Sequence, residues 1–109
     1  MRILVVDDDA TALEIRKLLI ERCGHQVTAA ADPEAARGAF PRGFDVVILD
    51  LRLPELETGL ELLREFRTAR VIVLCGNAGD LDGRPEAALA ATVLQKPVRS
   101  EALLRAIGG

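Results

Sequence analysis

Four charged residues stand at or just after short apolar runs, where strands of a sheet would end: Asp7, Asp8, Asp50 and Lys96. If those strands lie side by side, three carboxylates meet beside one lysine, and carboxylates that close repel one another unless a cation compensates them. Mg²⁺ fits such a site, because it takes oxygen ligands from a few carboxylates, a backbone carbonyl group and water. The lysine is a compact point charge suited to a phosphate oxygen or to an acid. Carboxylate, metal and lysine together can transfer a phosphoryl group onto an aspartate nucleophile.

The segment that must position the third aspartate is FDVVILDLRL, from Phe44 to Leu53. Its unbroken apolar run is typical of a strand buried on both faces, as in a parallel sheet covered by helices. The carboxyl edge of an open sheet of this kind binds ligands, and Asp50 ends the strand at that edge. Aspartate is also a common turn residue, so Asp50 taken alone is equally consistent with a simple turn.

The spacing of apolar and turn residues predicts five strands and five helices in strict alternation. The strands are predicted at Ile3–Val6, Val27–Ala30, Phe44–Asp50, Val71–Leu74 and Thr92–Leu94. The helices are predicted at Ala10–Cys23 with Asp9 or Thr11 as cap, from Pro33 to Ala39 or Phe40 with Asp32 as cap, at Leu60–Arg67, at Pro85–Ala90, and at Glu101–Ile107 with Ser100 as cap. Right-handed crossovers then give a flavodoxin-like, doubly wound α/β fold. We expect a parallel sheet of order 2-1-3-4-5 inside a three-layer sandwich, with residues 1–109 forming one domain.

The composition favours an aliphatic α/β protein and disfavours several other classes. Half of the residues are hydrophobic but only three are aromatic, and the formal net charge of −3 gives no reason to expect direct binding to nucleic acid or to a membrane. Apolar runs reach only four or five residues, too few to span a bilayer. The acidic start MRILVVDDD is not a secretory signal, so a cytoplasmic location is expected. Cys23 and Cys75 lack zinc-site spacing, and reduced thiols are the default in that compartment.

Four motifs occur in order along the chain: LVVDDD, VVILDLRLP, VIVLCG and LQKP. They are spaced by 42 residues from Asp8 to Asp50 and by 46 from Asp50 to Lys96. With these motifs the sequence resembles the receiver domain of two-component response regulators over essentially its whole length. The resemblance implies that Asp50 accepts a phosphoryl group from a phosphohistidine on a sensor histidine kinase or a histidine phosphotransfer protein. It implies self-catalysed phosphorylation and dephosphorylation rather than an enzyme acting on other substrates, and homodimerisation through the helix 4–strand 5–helix 5 face is common in that family.

The same resemblance assigns roles to the residues of the site. Asp8 would ligate Mg²⁺ directly, Asp7 would hold it directly or through water, and Asp50 would complete the carboxylate set. Arg52 would supply its backbone carbonyl oxygen to the metal. Lys96 would contact the phosphoryl group, and the proline that follows it would hold the turn, through a cis peptide bond.

Three positions depart from the family pattern. Cys75 stands where the family usually has Ser or Thr, and a thiol is a weaker hydrogen-bond donor than a hydroxyl. Val93 stands where the family often has Tyr or Phe, so the usual hydroxyl–aromatic switch cannot operate in its usual form. Gly59 lies nine residues after Asp50, where eight is more usual, and nothing in the sequence attaches a mechanism to this difference.

Three other functions are compatible with parts of the sequence. Asp7, Asp9 and Thr11 fit the D-x-D-x-T signature of haloacid-dehalogenase-type phosphohydrolases, with Asp7 as nucleophile and Asp9 as general acid. That family needs an acidic pair after its lysine, and here Glu101 is the only acid after Lys96. A receiver-like interaction module that works without phosphorylation is the second alternative. A redox role for Cys75 is disfavoured, because reactive thiols need electropositive surroundings and the predicted site has three carboxylates and one lysine.

Overall fold

The computed structural model describes residues 1–108, in which five β-strands alternate with helices. The strands are β1 (Arg2–Val6), β2 (Gln26–Ala30), β3 (Val46–Asp50), β4 (Arg70–Cys75) and β5 (Ala90–Gln95). The α-helices are α1 (Ala10–Arg22), α2 (Pro33–Ala39), α3 (Leu56–Glu65) and α4 (Ser100–Gly108). Short 3-10 helices cover Phe40–Arg42, Ala78–Leu81 and Pro85–Leu89.

All strands are parallel, and their order in the sheet is β2-β1-β3-β4-β5. This confirms the predicted flavodoxin-like order. Val6 pairs with Leu49, so the residues that follow β1 lie beside the end of β3. Asp50 in turn pairs with Leu74 on β4. The register therefore brings the chemically interesting ends of these strands to one edge of the sheet.

Helices cover both faces of the sheet, as the unbroken apolar pattern of β3 predicts. All five residues of β3 are buried. Alternate strand residues point to opposite faces: Ile48 belongs to the core under α1 and α4, whereas Val47 and Leu49 belong to the core under α2 and α3. These two apolar layers bury the central strand on both faces, so the residue that ends it lies at the edge of the core.

The prediction of five α-helices is wrong for the described residues, because the segment between β4 and β5 contains two 3-10 helices instead of an α-helix. The predicted helix at Pro85–Ala90 is a 3-10 helix over Pro85–Leu89. Gly83 has a φ of +70°, which interrupts regular structure before Pro85 restarts it, and β5 begins directly afterwards at Ala90. Only six residues lie between Gly83 and Ala90, which is less than two turns of an α-helix. In the family, the dimerisation face includes a helix between strands 4 and 5. In this protein, 3-10 helices take the place of that helix.

Several element boundaries also differ from the prediction. Helix α3 covers Leu56–Glu65 rather than Leu60–Arg67. It begins earlier because Glu57 is favourable in a first helical turn. Gly59 lies inside the helix, where it packs closely on the preceding loop. Ser100 is the first residue of α4 rather than its cap, since the N–H of Leu103 donates to the carbonyl of Arg99. Among the described residues, no helix combines the length and apolar character needed to cross a bilayer.

Candidate functional site

Three carboxylates meet at the carboxyl edge of the sheet. One oxygen from each of Asp7, Asp8 and Asp50 lies within 4.8 Å of the others. Asp7 and Asp50 are buried, with 1% and 5% of their surface exposed, whereas Asp8 is exposed. The strand order predicted this convergence, because β1 and β3 are neighbours, Asp7 and Asp8 directly follow β1, and β3 ends at Asp50.

Lys96 approaches the cluster from the end of β5. Its Nζ donates to Asp50 Oδ2 at 2.8 Å. The position of Lys96 is fixed by its own N–H, which donates to the carbonyl of Cys75 at 2.8 Å, and the Lys96–Pro97 peptide bond is cis, as expected. The lysine is thus held by backbone contacts within reach of the buried aspartate.

The electrostatics of Asp50 reflect its burial. Desolvation raises the pKa of its carboxyl above the ordinary value, and repulsion from Asp7 adds to that effect. The hydrogen bond and positive charge of Lys96 act in the opposite direction. The net effect is a raised pKa of Asp50, because the attraction of Lys96 does not fully compensate the burial of the negative charge.

Arg16 is a member of the site that the sequence did not reveal. Its Nη1 donates to Asp7 Oδ2, while Asp7 Oδ1 accepts the N–H of Asp9 at 2.9 Å. The arginine lies seven residues after the helix cap Asp9, which is two turns, so that both lie on the same side of α1. That spacing was the available signal, and it can be recognised only when the start of α1 is known to lie at the strand edge.

Asp9 has a structural role at this point. Its Oδ1 accepts the N–H groups of Thr11 at 3.0 Å and Ala12 at 3.2 Å, so it caps α1. Of the two predicted caps, Asp9 is the one that the structure uses. A carboxylate committed to the helix start is poorly placed to serve as the general acid of a phosphohydrolase.

The loop after Asp50 is tied to the segment between β4 and β5. Arg52 donates from Nε to Asp80 Oδ2 at 3.1 Å and from Nη2 to Asp80 Oδ1 at 2.9 Å. Asp80 is buried, and its carboxylate raises the pKa of the arginine. Arg84 donates to the backbone carbonyl of Asp80 at 2.9 Å. Sequence reasoning missed this pair, because the segment around Asp80 has no periodic pattern.

The two switch positions lie in different environments. Cys75 is a buried free cysteine at the end of β4, and the pKa of its thiol is raised by burial first, then by the negative charge of Asp80. Val93 is 45% exposed on β5, where it pairs in register with Val73. The thiol is thus held in its neutral form beside the site, while the valine side chain faces solvent.

These groups surround an open pocket of about 420 Å³. Its lining consists of the site carboxylates and cations with a few small residues: Asp7, Asp8, Asp9, Ala12, Arg16, Asp50, Arg52, Gly76 and Lys96. Three carboxylates faced by the cations of Arg16 and Lys96 leave negative charge uncompensated. The donors are hard oxygens, so the residues fit a hard divalent cation such as Mg²⁺.

Comparison with known proteins identifies relatives of the chain. Residues 3–108 match the family described as the response regulator receiver domain. The chain is 40% identical over 72 residues to the virulence transcriptional regulatory protein PhoP of Salmonella typhimurium, a match that covers 65% of this chain and 32% of PhoP. The matched segment is thus about a third of the length of that curated relative.

Two solved structures are similar over nearly the full chain. A response regulator receiver domain protein from Clostridium thermocellum is 36% identical with a TM-score of 0.86, and the match covers 98% of this chain and 90% of that one. The response regulator TrrA from Thermotoga maritima, solved in complex with Mg²⁺ and BeF, is 28% identical with a TM-score of 0.85, covering 98% of this chain and 96% of that one.

Proposed function

The chain belongs to the family of response regulator receiver domains, and we propose that it accepts a phosphoryl group on Asp50. The donor would be a phosphohistidine on a sensor histidine kinase or a histidine phosphotransfer protein. The main support for this proposal is that a buried aspartate at the end of a strand, two further carboxylates and Lys96 all line one pocket. On this proposal the protein is a signalling domain that catalyses only its own modification.

Asp7, Asp8 and Asp50 would hold Mg²⁺, with the backbone carbonyl of Arg52 as a further ligand. The bound ion would neutralise charge on the phosphoryl oxygens. Support comes from the oxygen donors within 4.8 Å of one another and from the related TrrA, whose structure contains Mg²⁺ and BeF.

Asp50 and Lys96 would carry the transfer itself. An ionised Asp50 oxygen attacks phosphorus, the new O–P bond replaces the P–N bond of the donor, and the histidine nitrogen leaves with the electron pair of that bond. The hydrogen bond that Lys96 donates to Asp50 favours the ionised form of the carboxyl group, which this attack requires. After transfer, the ammonium group of Lys96 would be within reach of an oxygen of the phosphoryl group carried by Asp50.

The signal would leave the site by an unusual route. Cys75 offers only a weak donor to a phosphoryl group, and Val93 has no ring to rotate with it. We therefore expect phosphorylation to change the region of β4 and the following 3-10 helices only weakly, or through other contacts. Large phosphorylation-dependent NMR shifts confined to that region would contradict this part of the proposal.

Intact-mass spectrometry after incubation with acetyl phosphate tests the proposal. Wild type with Mg²⁺ should gain one phosphate, and the adduct should be absent with a chelator and in Asp50→Asn. An adduct that is lost only in Asp7→Asn, with turnover of phosphate, would instead favour the phosphohydrolase. Asp82→Asn, an exposed acid outside the pocket, is the control for removing one charge.

A receiver-like module that works without phosphorylation is the second candidate. Arg16 pairs with Asp7 and Lys96 pairs with Asp50, so two of the three carboxylates of the site already have a partner within the protein. Absence of any adduct on folded wild-type protein, with Mg²⁺ and with a phosphohistidine donor, would support this candidate and contradict the first.

A further inference from the structure

Arg16 occupies a place in the acidic site for which the proposed chemistry has no use. Its side chain is only 15% exposed, and its partner Asp7 is 1% exposed. Arginine is rarely buried to this degree unless it is paired. The pair lies between helix α1 and the end of β1, so the guanidinium group is an integral part of the cluster rather than a surface charge.

The contact of Arg16 uses one of the carboxylates proposed to hold the metal. Asp7 Oδ2 accepts from the guanidinium group, and Asp7 Oδ1 accepts from the backbone of Asp9. A divalent ion at the cluster would have to share Asp7 with a positive charge or displace it. At such short range two cations repel each other strongly, and more so at a partly buried site than in water.

Arg16 also borders a second space beside the site. A neighbouring groove between α1 and α4, of about 190 Å³, is lined by Arg16 together with apolar side chains and Ser100. The aliphatic part of an arginine side chain packs well along apolar surface while its charged end stays in water. Rotation of the side chain toward this groove would release Asp7 without moving the helix.

We propose that Arg16 is a built-in counter-cation that competes with the divalent ion for Asp7. This inference rests on the proposed function, because it concerns the metal step of the same site. In the metal-free protein Arg16 stabilises the carboxylate cluster, and metal binding requires it to withdraw. The protein consequently needs more Mg²⁺ to load its site than it would with an uncharged residue at position 16.

Isothermal titration calorimetry of Mg²⁺ binding tests the inference, with thermal unfolding in a chelator as a second readout. Arg16→Gln should bind Mg²⁺ about tenfold more tightly than wild type, and it should unfold at a lower temperature without metal. Arg22→Gln carries the same substitution at an exposed position of the same helix and should match the wild-type affinity. Arg16→Lys keeps the charge and should stay within about threefold of wild type.

The outcomes separate this inference from the proposed function. If wild type and Arg16→Gln bind Mg²⁺ equally well, competition by Arg16 is wrong while the proposed function stands. If Arg16→Gln binds and wild type does not, the inference is supported and the metal step of the wild-type protein is contradicted. If neither binds, both are contradicted.

An NMR titration of the wild-type protein keeps the inference testable if the variants fail to fold. The Nε–Hε signal of Arg16 should shift with the same midpoint as Mg²⁺ binding, because the same guanidinium group loses the bond from its Nη1 to Asp7. A signal that does not move while Mg²⁺ saturates the site would overturn the inference.

Discussion

At the scale of single residues, Cys75 shows how environment decides chemistry. It lies at the edge of the site, yet burial and the nearby carboxylate of Asp80 raise the pKa of its thiol, so the reactive thiolate is disfavoured. The adjacent Lys96 opposes this effect but does not outweigh it. Cys75 is accordingly a small, weakly donating group beside Asp50 rather than a redox centre.

Thiol labelling should therefore distinguish the two cysteines. In native protein, Ellman's reagent should react with the exposed Cys23 at the rate of a free thiol, and with Cys75 at least about tenfold more slowly. Both should react at similar rates in denaturant. A Cys23→Ser variant isolates the second thiol, and rapid native labelling of that variant would show that Cys75 is accessible and ionised.

The raised pKa of Asp50 also gives a pH-dependent effect on stability. The folded protein binds this proton more tightly than the unfolded chain, so the contribution that favours folding is complete below the ordinary pKa of 3.8. It is lost as the pH rises through the raised folded-state pKa. An ionised Asp50 therefore destabilises the metal-free fold at neutral pH.

We expect Asp50→Asn to be more stable than wild type at pH 7 in a chelator, by roughly 1 kcal/mol. The advantage should shrink as the pH is lowered toward 3.8 and below. Denaturant unfolding at several pH values measures it, with Asp82→Asn as a matched control outside the pocket. A variant that is less stable than wild type at pH 7, or an advantage that grows in acid, would contradict this assignment.

At the scale of elements, the segments with a clear period were predictable and the segment without one was not. The apolar run of β3 and the cap of α1 predicted both elements, because burial and capping leave direct marks in the sequence. The segment from Gly76 to Leu89 is rich in Gly and Asp, and its structure depends on contacts from elsewhere in the chain. Among these is the ion pair of Arg64 with Glu86, which links α3 to the second 3-10 helix of this segment.

Gly59 provides a sharp test of how α3 packs on the loop after Asp50. A methyl group built at this position would overlap the backbone carbonyl of Leu51, and backbone atoms cannot move aside cheaply. Gly59→Ala should destabilise the protein by about 3 kcal/mol or more. Gly38→Ala, in α2 with no atom near the added methyl group, should instead be neutral or stabilising by about 0.5–1 kcal/mol.

Denaturant unfolding of both glycine variants separates close packing from helix propensity. If the two alanine variants were equally stable, the close approach of α3 to Leu51 would be wrong. This contact also explains why a glycine is accepted within α3, although the position of Gly59 relative to Asp50 was only an unexplained difference in the sequence.

At the scale of the whole molecule, the sheet order is what turns separate motifs into one site. Alternating strands and helices predicted that order, and the order predicted that Asp7, Asp8, Asp50 and Lys96 meet at one edge. The side-chain partners Arg16 and Asp80 could not be predicted in this way. The contact of Arg16 depends on the rotation of α1, so its two-turn spacing from Asp9 is informative only once the start of that helix is known. Asp80 lies on an irregular segment that has no periodic pattern.

Locating the phosphoryl group after treatment with acetyl phosphate and Mg²⁺ tests directly whether Asp50 is the acceptor. Borohydride reduces an aspartyl phosphate to homoserine, which peptide mapping by mass spectrometry can place in the sequence. Homoserine should be found at position 50 alone, and Arg22→Gln should behave identically as a control. Homoserine at position 7, or none in a preparation that has gained phosphate by intact mass, would contradict the assignment of Asp50 as the acceptor.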